Sequence, residues 1–270
     1  MIAQETYILA NGVAVPKLGF GTWLIPDEEV TGAVRCAIDA GYRHIDTAQA
    51  YGNERGVGEA IRGCGIPRSE LFVTTKVAAE MKDCAGAAAS IDESLRLLDC
   101  GPIDLLLIHC PQPWAEFRGE KRYFAENKEV WRALEDAYLE HKVRAIGVSN
   151  FLIDDLQNII KDCRIRPMAN QFLLNVRETP AELLEFCRQE NILPEAYCPN
   201  GHGDLIGNPG LAAIASRYGV SVPQLCIRYT LQLGAVSLPK STNPEHIRSN
   251  AKLDFSISDA DMAALGSMKW

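Results

Sequence analysis

The chain has 270 residues, 47% of them hydrophobic and 23% charged, which is enough apolar content to bury a core of domain size. A formal net charge of −8 excludes the basic surface that non-specific nucleic-acid or anionic-membrane binding needs, though not a locally positive pocket for a small anion. No apolar run approaches the roughly 18 residues of a membrane helix, and the start "MIAQETYILANG" lacks the basic flank of a secretory signal, so a cytoplasmic location is expected.

Taken in order, residues 7–9 and 13–15 flank Asn11-Gly12, a hairpin signal. "LGFGTW" follows, then a helical pattern over 28–40, a short strand His44–Asp46 and a helix over 54–62. "LFVTTK" (71–76) reads as a strand, 85–98 as a helix and "IDLLLIH" (103–109) as a buried strand. The longest piece without periodicity is 111–127, the length of a functional loop. In "KEVWRALEDAYLEHK", Val130, Leu134, Ala137 and Tyr138 share one helical face. Next come "AIGVSN", a helix over 153–161, "MANQF", a helix opened by Pro180, and "LPEAYC". Helices over 208–218 and 222–233 lead to "AVSLPK" and two closing helices.

Eight strand candidates, each followed by a helix, predict a parallel sheet. Eight such units in this length predict a (β/α)8 TIM barrel with an N-terminal β-hairpin, one domain over 1–270. A doubly wound open sheet is the alternative, because periodicity does not see closure.

Nine cysteines make an odd count with no C-x-x-C pair, and Cys36, Cys187 and Cys226 sit in apolar patterns. The five histidines show no metal-ligand spacing. A reduced protein without a metal site is expected.

In a barrel the active face lies at the carboxyl ends of the strands. The residues there are Asp46, Lys76, His109, Ser149-Asn150, Gln171, Tyr197 and Lys240-Ser241. Each alone has an ordinary structural explanation: Lys76 as a solvated strand end, His109 as a satisfied histidine, Asp46 as a turn cap. The grouping carries more weight. An acid, a phenol (Tyr51), an amine and an imidazole arise from three successive strand ends.

"GFGTW", "AGYRHIDTAQAYGNERGVGEAI", "TTK", "LLLIH", "GVSNF", "NQ" and "PKSTNPEHI" followed by Asn250 stand in an order that resembles the aldo-keto reductases, and the likeness runs from Leu18 to Asn250. The resemblance implies carbonyl reduction to alcohols with NADPH, NADH being a second possible donor. Tyr51 would be the general acid, Lys76 the cation that lowers its pKa, Asp46 the partner of that cation and His109 the group orienting the carbonyl. A G-x-G-x-x-G fingerprint is absent from the sequence, so Rossmann-type binding is not expected; the resemblance implies instead a dinucleotide extended across the barrel mouth. By the same resemblance Ser149, Asn150 and Gln171 would hold the carboxamide, with Tyr197 stacked on the nicotinamide. Gly21 and Thr22 would lie along the cofactor, and the loop "CPNGHGDLIGN", with Leu205, would cross the pyrophosphate. Lys240, Ser241, Thr242, His246 and Asn250 would form the adenosine end. Trp23, His109, Cys110 and Trp114 would line the substrate pocket.

The chain departs from the family pattern at several points. Cys110 stands where tryptophan is common, Cys198 and Asn200 replace a serine and a leucine, His246 replaces an arginine and Ser249 an acid. The chain ends at Trp270, which implies a missing or very short C-terminal loop. With Cys110 this predicts broad substrate acceptance, and His246 predicts a shallower preference for NADPH. The expected partner is a small carbonyl compound, without nucleic acid or membrane, and the assembly a monomer or a dimer. The alternative function is a cofactor-sensing regulatory barrel similar to the potassium-channel β subunits.

Overall fold

The computed structural model describes residues 2–270. An antiparallel hairpin, β1 (Thr6–Ile8) and β2 (Ala14–Pro16), precedes the barrel, and its turn passes through Gly12 at φ 86, a backbone state that glycine adopts without strain.

Eight parallel strands follow in sequential order: β3 (Gly19–Gly21), β4 (His44–Asp46), β5 (Phe72–Val77), β6 (Leu105–Ile108), β7 (Ile146–Ser149), β8 (Ala169–Leu173), β9 (Leu193–Tyr197) and β10 (Val236–Leu238). The ring closes between its ends. Ser237 donates its N–H to the Lys17 carbonyl at 2.9 Å and Gly21 to that of Pro239 at 3.0 Å. The open-sheet alternative is thereby excluded. Closure is tight at Gly19, where an added Cβ would stand 2.5 Å from Leu238 Cδ2 and 2.9 Å from the His44 ring.

The helices are α1 (Asp27–Asp39), α2 (Glu54–Gly63), α3 (Cys84–Leu98), α4 (Phe124–Leu139), α5 (Ile153–Asp162), α6 (Ala181–Gln189), α7 (Pro209–Arg217), α8 (Val222–Gln232), α9 (Pro244–Asn250) and α10 (Asp259–Gly266). Their ends follow local chemistry. Asp83 caps α3 by accepting from Gly86 N–H at 2.7 Å, and Ser221 with Gln224 closes a capping box at α8. The helical face read in α4 packs inward: Val130, Leu134 and Ala137 are buried, with Tyr138 half-buried against the core.

The four residues of β6 have no exposed surface, so each apolar side chain contributes roughly 1.5–3 kcal/mol of burial. Truncating Leu107 to alanine at that position would cost about 2–5 kcal/mol. Residues 111–127 are more ordered than the sequence implies. Trp114–Glu116 forms a 3-10 turn and α4 already begins at Phe124. Buried Gln112 ties the loop together, donating to the Gly119 and Lys121 carbonyls and accepting from Arg118 N–H, each at 2.8 Å. Among the described residues no helix is long and apolar enough to cross a membrane.

Candidate active site

Strand register brings the mouth residues together. Asp46 ends β4, Lys76 lies one residue before the end of β5, and His109 directly follows β6. A 3-10 turn over Gln49–Tyr51 then folds the phenol back over the strand ends.

Lys76 is fully buried, and Asp46 is 4% exposed. The ammonium donates to Asp46 Oδ1 at 2.6 Å, to the Thr47 carbonyl at 2.8 Å and to the Tyr51 hydroxyl at 3.4 Å. Burial pulls the Lys76 ammonium down, but the charges of Asp46 and Tyr51 outweigh it and hold the group above its ordinary value. Lys76 is a cation at every physiological pH.

For Tyr51 the balance falls the other way. Burial raises the phenol above its ordinary value and the Lys76 charge offsets only part of that rise. A net lowering by the cation, as the sequence suggests, is not what this arrangement gives.

The Tyr51 and His109 rings meet edge to face at 5.5 Å, and His109 meets Trp114 at 5.0 Å. Burial, and then the Lys76 charge, hold His109 well below the usual histidine pKa, so the ring is neutral. Its Nδ1 is buried without a hydrogen-bond partner among the described residues. A lone pair there costs less than an unpaired N–H, which leaves the ring proton on Nε2.

Gln171, in register with Glu195, donates one amide hydrogen to Asp46 Oδ2 at 2.8 Å and the other to Glu195 Oε2 at 2.9 Å. Only its carbonyl oxygen is left for another partner. Asn150, held at φ 62, donates to the His109 carbonyl at 3.0 Å and to Ser149 Oγ at 3.1 Å, and accepts from the Tyr197 hydroxyl at 2.7 Å. Ser149 Oγ keeps its own proton to donate.

The remaining expected residues divide into two groups. Lys240, Thr242 and His246 are exposed and Ser241 is half-buried. Gly21 lies beside Lys240, whose Cβ would be 3.7 Å from a Cβ built on the glycine. Trp23 and Trp114 are 43% and 40% exposed, and Trp23 meets His202 edge to face at 5.4 Å. These side chains are available to a ligand.

Others are not. Cys110 is fully buried, and Leu205 is 1% exposed inside a satellite cluster with Leu211 and Ile214. Neither offers a side chain to the mouth, so the substrate role expected of Cys110 and the cofactor contact expected of Leu205 lose their basis. Cys110 therefore gives no ground for broad substrate acceptance. Thr22 is buried and its hydroxyl donates to the Asp46 carbonyl at 3.0 Å, which makes it a brace of the acid. Asn250 is 5% exposed. Arg248 lines a cavity of about 1000 Å³ with Gln4, Pro16 and Arg43 at the opposite end of the barrel, so it does not compensate for His246.

The sequence reading missed Glu195 and Arg118. Arg118, at φ 62, donates to the Asn150 carbonyl at 3.2 Å. Glu195 was findable, because it stands two residues before Tyr197 and so faces the same side of its strand.

Comparison with known proteins identifies the family. The sequence model of the Aldo/keto reductase family matches residues 17–269. A 9,11-endoperoxide prostaglandin H2 reductase of Trypanosoma cruzi is 43% identical over 265 residues, 96% of this chain and 90% of the relative. A glyoxal reductase of Bacillus subtilis is 40% identical over 267 residues, 98% and 93% of the two chains. Among solved structures, an aldo/keto reductase from Brucella melitensis superposes with a TM-score of 0.90 at 38% identity, covering 97% of this chain and 96% of that one. A Bombyx mori aldo-keto reductase in complex with NADP gives 0.86 at 33% identity, with 97% and 91% covered. The chain belongs to the aldo/keto reductase family of NAD(P)H-dependent oxidoreductases.

Proposed function

We propose that this protein reduces aldehydes and ketones to alcohols with NADPH, Tyr51 supplying the proton. The observation that carries this reading is the buried run in which Asp46 fixes Lys76 at 2.6 Å and Lys76 reaches the Tyr51 hydroxyl at 3.4 Å. A proton donor backed by a fixed cation favours turnover over a barrel that only senses its cofactor.

The chemistry supplied by bound nicotinamide is hydride delivery to the carbonyl carbon. This chain's residues do the rest. His109 Nε2–H and the Tyr51 hydroxyl both donate to the carbonyl oxygen and place it. As negative charge grows there, Tyr51 gives up its proton. An alkoxide is far more basic than a phenolate, so the transfer runs downhill even though burial has raised Tyr51. The phenolate left behind faces the Lys76 ammonium, which Asp46 holds in place. Positioned acid catalysis of this kind contributes about 10²–10⁴-fold.

The donor set fits a nicotinamide dinucleotide. Gln171 has one carbonyl oxygen left for a carboxamide N–H, and Ser149 has a hydroxyl for the carboxamide oxygen. Tyr197 stands beside them through its bond to Asn150. Lys240 is exposed, makes no ion pair among the described residues and would meet a 2′-phosphate, with Ser241 and Thr242 next to it. Trp23 and Trp114 form apolar walls suited to a range of carbonyl compounds.

The test is consumption of NADPH by the purified protein with a panel of aldehydes and ketones, small dicarbonyls included. Turnover with at least some of these is expected. A protein that binds NADPH but consumes none with any of them would overturn the proposal.

A further inference from the structure

The barrel interior holds a second acid that the proton-transfer residues do not account for. Glu195 on β9 is fully buried and its Oε1 has no hydrogen-bond partner among the described residues. Its Oε2 accepts from Gln171 at 2.9 Å, and the other amide hydrogen of Gln171 goes to Asp46 Oδ2 at 2.8 Å. Asp46 Oδ1 in turn binds Lys76, and Lys76 reaches Tyr51. Four hydrogen bonds thus join Glu195 to the phenol, and Gln171 is the bridge between two carboxyl groups.

A fully buried carboxylate with one donor lacks most of the solvation its charge requires. The charged groups that face it are Asp46 on β4, which repels a second negative charge, and Lys76 on β5, which attracts it. The flanking strands, β8 and β10, contribute no ionisable side chain. Burial is the largest influence; the Gln171 hydrogen bond resists it, Asp46 reinforces it, and the carboxyl is pushed up to about 7. With Glu195 neutral, Asp46 and Lys76 balance each other. With Glu195 ionised, the cluster carries one excess negative charge.

We propose that Glu195 is a positioning residue for carbonyl reduction, supporting Tyr51 through Gln171, Asp46 and Lys76 only while it is protonated. In that state Gln171 is shared with a neutral group and holds Asp46 firmly, and the field of Lys76 falls on the phenol. Ionised Glu195 pulls more strongly on its own Gln171 hydrogen and draws on the Lys76 field that the nascent phenolate needs. Proton donation by Tyr51 then slows. This inference rests on the reading of Tyr51 as the acid.

The experiment compares kcat for aldehyde reduction across about pH 6 to 9 in wild type and Glu195→Gln, which keeps an acceptor for Gln171 and removes the titration. Wild-type kcat should fall by at least ~3-fold through the ionisation, with KM little changed, while the variant stays flat. Infrared difference spectra of wild type over the same range should show a buried carboxylic C=O band disappearing, and the variant should lack that change. Glu195→Thr, also non-ionisable, carries the same expectation if the glutamine variant does not fold. Superimposable pH profiles, or no titrating carboxyl band in wild type, would overturn the role of Glu195. The two readings fail separately: a Tyr51→Phe enzyme with full turnover would defeat the proton-donor assignment, whereas matching profiles in a Tyr51-dependent enzyme would defeat only this inference.

Discussion

Asp104, just before β6 at the base of the barrel, and Glu195, facing the interior near the mouth, are both fully buried carboxyl groups with different surroundings. Asp104 accepts from Val73 N–H at 2.9 Å, from Arg68 at 2.6 Å and from Arg144 at 2.6 Å. Glu195 accepts one hydrogen bond and leaves an oxygen unpartnered. Two of their neighbours show the same contrast. At the base Arg43 donates to the Ile38 and Tyr42 carbonyls, whereas at the mouth His109 Nδ1 is unpaired. Leaving a buried polar atom unsatisfied costs about 1–3 kcal/mol. At the base the Asp104 carboxyl is saturated, which serves stability, although His44 Nδ1 at the start of β4 is itself unpaired. The mouth tolerates that cost where donors and acceptors stand ready for a cofactor, a carbonyl or a proton.

Breaking the mouth at its charge centre should have the largest effect. Lys76→Met leaves Asp46 buried without its cation, a change worth about 3–5 kcal/mol of stability. It should also lower kcat by on the order of 10²–10³, the loss expected when a preorganised charge is removed. Urea unfolding with steady-state turnover checks both. A variant of unchanged turnover would show that the ion pair is structural, like those at the base.

The reciprocal experiment is Asp104→Ala. It strips three donors of their acceptor, but Arg68 and Arg144 are partly exposed and recover water, so about 1–3 kcal/mol should be lost. Turnover per folded molecule should not change. A large fall in kcat would mean that the two ends are coupled.

The pH dependence of stability sharpens the contrast further. Burial pushes Glu195 up to about 7, so its neutral form contributes stability that is full below the ordinary carboxyl value of 4.5 and is lost as pH rises through about 7. His44 has the opposite sign. Burial pulls it down to about 4, so its contribution is full above 6.5 and is lost as pH falls through about 4. Glu195→Gln should therefore gain about 1–3 kcal/mol on wild type between about pH 5 and pH 9, measured from urea midpoints. A difference that does not vary with pH would place the native carboxyl in the ordinary range.

The smallest effect belongs to the adenosine end. His246 is exposed and Arg248 lies toward the base, so in the proposed reading Lys240 alone would bring a positive charge to the 2′-phosphate. His246→Arg adds a permanent charge and should raise the NADPH-to-NADH ratio of kcat/KM by about tenfold, or ~1.4 kcal/mol. A wild type that already prefers NADH would remove Lys240 from that role, and a variant with an unchanged ratio would take position 246 away from the 2′-phosphate.

What the sequence disclosed and what it hid divide along physical lines. The alternation of strands and helices is written in local hydrophobic spacing, and each of the eight barrel strands falls where the spacing puts it. Loops were less readable. The turn over Trp114–Glu116 depends on Gln112 bonding to three groups six to nine residues away, which no periodicity reveals. Side-chain direction was partly readable. With His109 facing the mouth, strand alternation already turns Cys110 away from it. The Glu195 link was hidden because Gln171 meets Asp46 across the barrel, 125 residues away in sequence, and only closure brings them together. Arg248 needed the phase of a short helix, α9, which the sequence does not fix.

The central claim is that the unsaturated mouth exists to pass a proton through Tyr51. Its most direct test is Tyr51→Phe, with NADPH binding followed by fluorescence and aldehyde reduction by single turnover. Removing one hydroxyl should leave the dissociation constant for NADPH within about twofold and lower the reduction rate by about 10²–10⁴. A variant that binds NADPH normally and reduces aldehydes at the wild-type rate would contradict the account.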